Sequence, residues 1–306
     1  MSLNYVILGC IFSLLGTLMS QKILTVCKAN EVIEAGYRLS LNEQRVILAC
    51  IGQVNSMEEL LKTDEFELSA KDFANLYGIS ENRAYGELQE VAKNLYQRSL
   101  TIYNPDPNYP KLKKIETRWI SSIGYMPDDG KIILCFAQKL LPYLSQLKGT
   151  FTRYKLEHVG NMTSMYSIRL YELLAQWQSV GKREVEIEWL KKQFQLDESY
   201  DRMFDLKKRV IEPAVKDINE HSNFNVTWTQ RKTGRAVTHF IFEFGEKTPL
   251  APEKPKRVVK PREKKILGVA ESEIKAKAKP GESYEQAATR IAEEKEKAAV
   301  KKAKAD

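Results

Sequence analysis

Histidine is nearly absent from this sequence, and its scarcity narrows the chemistry open to the chain. His158, His221 and His239 are the 3 histidines of 306 residues, and no two stand close together. A nicking enzyme that sets a His-x-His metal pair beside a nucleophilic tyrosine is therefore excluded. No G-x-x-x-x-G-K-[ST] occurs either. The Gly-Lys pairs Gly130-Lys131 and Gly181-Lys182 have Tyr125 and Gln176 where the first glycine would stand, which argues against an ATP-driven helicase built on a phosphate-binding loop. The 4 cysteines, Cys10, Cys27, Cys50 and Cys135, are scattered among apolar residues with no C-x-x-C pair. They read as buried thiols in a reducing cytoplasm rather than as zinc ligands or disulfides. No catalytic residue, metal or cofactor is expected.

What the sequence does carry is positive charge, +8 in all with a pI of about 9.1, which favours polyanionic partners. The excess is uneven. From Glu246 to Asp306 there are 17 Lys and Arg against 11 Asp and Glu, leaving 31 basic and 29 acidic residues before them. Any polyanion surface in the folded part must therefore be local. Hydrophobic residues at 43% and a mean hydropathy of −0.42 suit a soluble chain with packed cores, and the length suits two small domains plus a tail.

Ser40-Leu-Asn-Glu43 has the capping-box pattern and predicts a helix start, with Val46, Ile47, Cys50, Ile51 and Val54 as its apolar stripe. Ser69 begins a short helix through Tyr77, Gly78-Ile79 makes a turn, and Ser80 caps a second helix to about Arg98. Leu100 to Tyr103 and Ile115 to Tyr125 suggest two strands joined by a Pro-rich loop, and Lys131 to Phe136 a further strand. Helix-turn-helix followed by a hairpin is a winged helix. The order then repeats. A helix from Thr163 places Tyr166, Leu170, Leu173, Leu174 and Trp177 inward, a short one lies near Glu188 to Gln195, and a long one spans about Asp201 to Glu220 with Pro213 expected to kink it. A hairpin of Phe224 to Thr229 and Ala236 to Phe244 closes across Thr233-Gly234, with Phe240, Phe242 and Phe244 on one face. His239 reads as a strand residue, and Met162 and Met165 as packing. The fold class is α+β, two winged-helix domains in tandem.

A helix that reads a major groove needs donors near its N-terminus. The Asp201 helix offers Arg202, Lys207 and Lys208, with Arg209 set apart from them and with Met203, Phe204, Leu206 and Val210 available for packing. The hairpin tip adds Arg231, Lys232 and Arg235, placed as a wing would meet phosphates. In the first domain Asn82 and Arg83 head the corresponding helix, and Lys111, Lys113 and Lys114 lie in the loop. That signal is weaker, because Glu81 and Glu87 share the face and repel phosphates. A dimer or partner surface is the competing reading there.

Short segments along the chain resemble the iteron-binding initiator Rep proteins of theta-replicating plasmids. They are Val26-Cys-Lys-Ala-Asn-Glu-Val-Ile-Glu-Ala35, Leu41-Asn-Glu-Gln-Arg45, Arg118-Trp-Ile-Ser-Ser-Ile-Gly-Tyr125 and Phe151-Thr-Arg-Tyr154. They continue in Ser167-Ile-Arg-Leu-Tyr-Glu-Leu-Leu174, Val210-Ile-Glu-Pro-Ala214 with Ile218-Asn219, and Lys232-Thr-Gly-Arg235 with Thr238-His-Phe240. The resemblance implies paired winged helices. It implies monomers that bind direct repeats of double-stranded origin DNA, mainly through the C-terminal domain. It implies dimers, formed through the N-terminal domain, that bind an inverted repeat at the gene's own promoter and repress it. Bound monomers would help open the origin and recruit the host replication initiator and replicative helicase, with no covalent step and with binding energy spent on bending AT-rich DNA. A transcription repressor of the same fold, and an interaction module with a basic tail, stay open from the residues alone.

The expected division is an apolar extension at 1–22, an N-terminal winged helix at 23–149, a C-terminal one at 150–245 and a basic tail at 246–306. The tail holds Pro249, Pro252, Pro255, Pro261 and Pro280, has no core of its own, and is expected to be disordered, with a charged helix over Ser283 to Ala303 as the alternative. Met1 to Gln21 has no charged side chain. It lacks the basic start and cleavage site of a signal peptide and falls short of the roughly 20 apolar residues of a membrane span. The reading taken is that translation starts at Met19. N-terminal mass spectrometry of the native protein should then find Met19 first, and Met1 there would reject it.

Overall fold

The computed structural model describes residues 24–105, 109–147, 150–247, 265–279 and 282–303, with backbone alone at Glu81, Asn82, Lys265 and 298–303. The first half opens with β1 (Thr25–Ala29) and a single turn, α1 (Asn30–Ile33). α2 (Leu41–Ile51) starts where its capping box requires. Ser40 Oγ accepts from the Glu43 amide at 3.3 Å, and the Glu43 carboxylate accepts from the Ser40 amide at 2.6 Å. Next come β2 (Phe66–Ser69), α3 (Ala70–Tyr77) and α4 (Glu81–Leu95). Ser69 caps α3 by accepting from the Asp72 amide at 2.9 Å, and Gly78 ends it in the left-handed conformation. Ser80 holds the N-cap position of α4 without a side-chain cap bond.

The strands that follow correct the single hairpin expected from Leu100 and Ile115. β3 (Ser99–Tyr103) pairs with β4 (Lys114–Arg118), but β5 (Ile120–Met126) pairs with β6 (Lys131–Phe136), which in turn pairs with β2. The break falls at Trp119. Its side chain is fully buried edge-on against Tyr37, with ring centres 4.8 Å apart, and its carbonyl accepts from Ala137 at 3.1 Å. Anchoring this ring turns the chain from one sheet into the other, so the first wing is β5–β6 and the β3–β4 hairpin is an addition.

The second half contains β7 (Phe151–Lys155), the single turn α5 (Glu157–Gly160), α6 (Met165–Ala175), β8 (Lys182–Glu186) and α7 (Ile187–Phe194). The long helix consists of α8 (Met203–Leu206), a π-type turn (Lys207–Ile211) and α9 (Glu212–His221). The π turn lies just ahead of Pro213, which has no N–H for the carbonyl one turn back, so the backbone widens there. β9 (Phe224–Thr233) and β10 (Ala236–Glu246) complete the second three-stranded sheet. Its order, β8-β10-β9, repeats β2-β6-β5, and α6, α7 and the long helix repeat α2, α3 and α4. These are two winged helices in tandem. Trp177, expected inward, is 44% exposed because α6 ends at Ala175.

The two halves share one apolar core. β1 pairs with β7 from Thr25↔Lys155 to Ala29↔Phe151, a ladder whose strands lie on either side of residue 149. α6 is buried almost all round, including Arg169 and Glu172. Lys28 of β1 forms an ion pair with Glu172, with side chains 2% and 1% exposed, and the Tyr154 hydroxyl donates to the same carboxylate. Arg169 lies 3.6 Å over the Tyr37 ring and donates to the carbonyls of Ala35 at 2.8 Å and Gln193 at 3.3 Å. Arg183 reaches back to Glu34 at 2.8 Å. Met162 is buried and Met165 packs at the margin of the core, while His239 lies half-buried in β10. Cys27, Cys50 and Cys135 are buried and free, and burial pushes the Cys50 thiol up to about 12. Cys10 and the apolar stretch to Ile23 lie outside the described residues. Among the described residues no helix is long and apolar enough to cross a membrane.

The chain from Thr248 onward forms a separate unit. β11 (Lys265–Ile266) and β12 (Val269–Ala270) pair, and α10 (Glu271–Lys277) and α11 (Tyr284–Ala303) follow. Val269, Ile274, Ala287, Ala288 and Ile291 are buried together, and Arg290 bridges Glu282 at 2.9 Å and Glu294 at 3.2 Å. Over these residues the tail carries helices, the second of them over the span of the charged helix given as the alternative, because its few apolar side chains recur at helical spacing and meet. The Pro-rich stretch ahead of Lys265 lies outside the described residues.

Lys28→Met should destabilise the fold by about 3–5 kcal/mol in chemical denaturation, since it leaves the Glu172 carboxylate buried without its cation. Adding Glu172→Leu should recover most of that loss. Equal losses in the single and double variants would show that the pair is not what holds this layer.

Candidate nucleic-acid interface

Burial sets the rotation of the long helix. Leu206, Val210, Ile211, Ala214 and Ile218 face the core, which leaves Arg202, Phe204, Lys208 and Arg209 exposed and Lys207 half-buried at the flank. Arg202 is the N-cap residue, and among the described residues its guanidinium has no hydrogen bond or ion pair. The Lys207 ammonium donates to the Gln230 side chain on β9, tying helix to wing. Lys208 lies 3.6 Å from Glu212 and Arg209 3.3 Å from Asp205. Each pair is one turn apart with its cation exposed, though Asp205 is half-buried, and exposed pairs of this kind add little stability.

Two expectations are corrected here. Arg209, expected apart from Arg202, is exposed as Arg202 is, and seven steps of about 100° come close to two full turns rather than to opposite sides. Phe204 does not pack; it is 72% exposed. Helical periodicity could have placed Arg209, but nothing in the local sequence separates Phe204 from its packing neighbours Met203 and Leu206.

The base of the second wing is fixed by Asn219 at the end of α9, whose side chain donates to the Val226 carbonyl at 2.9 Å and accepts from the Val226 amide at 2.6 Å. β8 pairs with β10 only from His239 to Glu243, whereas β9 and β10 stay paired to Thr233↔Ala236. The tip is thus a two-stranded ribbon standing clear of the sheet. A bulge at Thr238 bends it, and Gly234 turns it at φ 63°. Arg231, Lys232 and Arg235 are all exposed there. Arg231 donates to Glu184, and that hydrogen bond holds the Glu184 carboxyl below its ordinary value. Among the described residues Lys232 and Arg235 have no ion-pair partner.

The first half is arranged alike but charged differently. Arg83 is exposed on the first turn of α4, where Asn82 also lies, though the Asn82 side chain falls outside the described residues. Glu87 is half-buried. Lys111, Lys113 and Lys114 are exposed, but on the added β3–β4 hairpin rather than on the wing, and Lys114 is bridged to Glu116 at 2.5 Å. The wing tip proper carries Asp128 and Asp129, both exposed, while Lys131 beside them is paired with Glu67 at 3.1 Å. The acidic pair ahead of Gly130 is the signal that could have told the two wings apart. Among the described residues no three His, Cys, Asp or Glu side chains gather as a metal site.

Comparison with known proteins matches this layout. The family model described as "Initiator Replication protein, WH1" matches residues 25–175, and "Initiator Rep protein, WH2" matches residues 186–244. A replication initiation protein of Escherichia coli is 31% identical over 228 residues, 72% of this chain and 69% of that protein. The PI protein of Escherichia coli is 26% identical over 245 residues, 70% of this chain and 80% of that protein. Among solved structures, the Pi initiator protein crystallised with iteron DNA has the same fold, with a TM-score of 0.63 over 74% of this chain and 99% of that one at 24% identity. With both family models in succession along two winged helices of one topology, the chain belongs to the initiator Rep protein family.

Proposed function

We propose that the chain starts replication of a plasmid by binding repeated sequences, iterons, in double-stranded origin DNA as a monomer. The second winged helix makes the main contacts, with Arg202 and Lys208 of the long helix toward the major groove, Lys207 at the junction, and Arg231, Lys232 and Arg235 of the wing on phosphates. The observation that carries this reading is the joint exposure of that helix start and that ribbon, two cationic elements locked together through Lys207 and Gln230. Membership of the initiator family and the likeness to an initiator crystallised with iteron DNA support it.

Family resemblance extends the reading further. The first winged helix, with Asn82, Arg83 and Lys111 to Lys114 as accessory contacts, serves chiefly in dimers that repress the gene's own promoter. Its acidic wing tip supports a role of this kind over phosphate binding. Bound monomers help open the origin and recruit the host initiator and replicative helicase. The chemistry asked of the protein is binding and bending alone, with no covalent step.

Footprinting the full chain on the DNA flanking its own gene tests this reading. Protection of direct repeats is expected, together with persistence as a plasmid of an origin fragment supplied with the gene. Protection of a promoter site alone, without plasmid persistence, would instead indicate a repressor. Arg202→Ala or Lys207→Ala should weaken repeat binding by about 1–3 kcal/mol where the residue contacts a base, and unchanged affinity in a gel-shift series would remove that residue from the site. Lys232→Ala and Arg235→Ala should each lower the slope of log affinity against log salt by about 1. Slopes equal to the parent's would reject phosphate contact by the wing.

A further inference from the structure

We propose that Phe204 reads a thymine methyl group in the repeat bound by the long helix, an inference that rests on the iteron-binding reading above. Exposure alone says little, since single apolar residues on a surface are ordinary. Place is what decides. Phe204 is 72% exposed at the second position of the helix, with Arg202 before it and Lys208 and Arg209 about one turn on, all three exposed. It has no structural task there. The hydrophobic staple of a helix start joins the residue before the N-cap to the fourth helical residue, here Asp201 and Leu206, and neither is Phe204. Among the described residues no aromatic ring or cation packs on it, while its neighbours Met203 and Leu206 supply the core contacts.

An apolar side chain exposed at a helix start, with the exposed cation Lys208 one turn on along its own face, fits a partner that offers anionic groups and an apolar spot together. The major groove has that character. Phosphates line it, and the one apolar group on its base edges is the C5-methyl of thymine, against which a phenyl ring can pack. The first turn of a recognition helix is the part that meets base edges. Arg202 and Lys208 are suited to guanine edges and phosphates; Phe204 adds discrimination that no donor can supply, thymine against any base without that methyl.

The test uses the full chain and the duplex protected in footprinting, with each thymine replaced singly by deoxyuridine, which removes the methyl and nothing else. At one or two positions the replacement should weaken binding about three- to tenfold. Phe204→Ala should lose a similar factor on the all-thymine duplex and become indifferent to deoxyuridine at those positions. Its melting midpoint should stay at the parent's, because the ring is exposed. Indifference of the parent protein to deoxyuridine at every position overturns the proposal, as does Phe204→Ala retaining the parent's sensitivity. So does a loss in Phe204→Ala that is equal on thymine, deoxyuridine and random-sequence duplexes, which would mark an apolar contact with another protein copy. Arg202→Ala and Lys207→Ala separate the two levels. If they lose affinity while Phe204→Ala does not, iteron binding stands and the methyl contact falls; if all three bind as the parent does, the long helix is not the reader and both fall.

Discussion

Lys28 and Glu172 meet with both side chains almost wholly out of water, and the layer they occupy is where the two halves become one body. Removing either charge alone would strand the other in a medium of low polarity, so neither half can withdraw without a large penalty. Tyr154 donates to the same carboxylate from β7, which adds a third element to the joint. Around it α6 is enclosed on nearly every side, and Arg169 is clasped by backbone carbonyls from both halves. A pair of winged helices could in principle hang on a flexible linker. Here a buried charge network and a continuous core hold them together.

That joint explains why the two halves can differ in surface while sharing a topology. Sheet order and helix order repeat, but the first wing ends in Asp128-Asp129 and the second in the Arg231 to Arg235 ribbon. The cationic elements of the second half are also braced mechanically: Asn219 holds the base of the wing, and Lys207 joins its side to the helix. Such bracing suits the proposed site, because two elements that contact one ligand lose less on binding when their separation is fixed beforehand.

Much of this was legible in the residues. The box Ser40 to Glu43, the turn at Gly78, most of the stripe of α6 and the alternation of Phe240, Phe242 and Phe244 each rest on local rules of capping or periodicity, and each element is found where those rules start it. The first wing was not legible, because a strand pattern does not say which strand it pairs with, and only the burial of Trp119 against Tyr37 parts β4 from β5. Trp177 was misplaced for a related reason. Its spacing matches the stripe of α6, but the helix ends before reaching it.

By itself the sequence determined the winged-helix order, its repetition and the family, since these follow from periodicity, caps and motifs that act over a few residues. It also determined which cations were available to a polyanion. The tertiary structure alone decided which of them stand free, that Lys207 turns to the wing, that Arg231 is held by Glu184, and that Phe204 stands in water. Exposure and pairing are set by neighbours remote in sequence, brought near by a core that no local pattern describes.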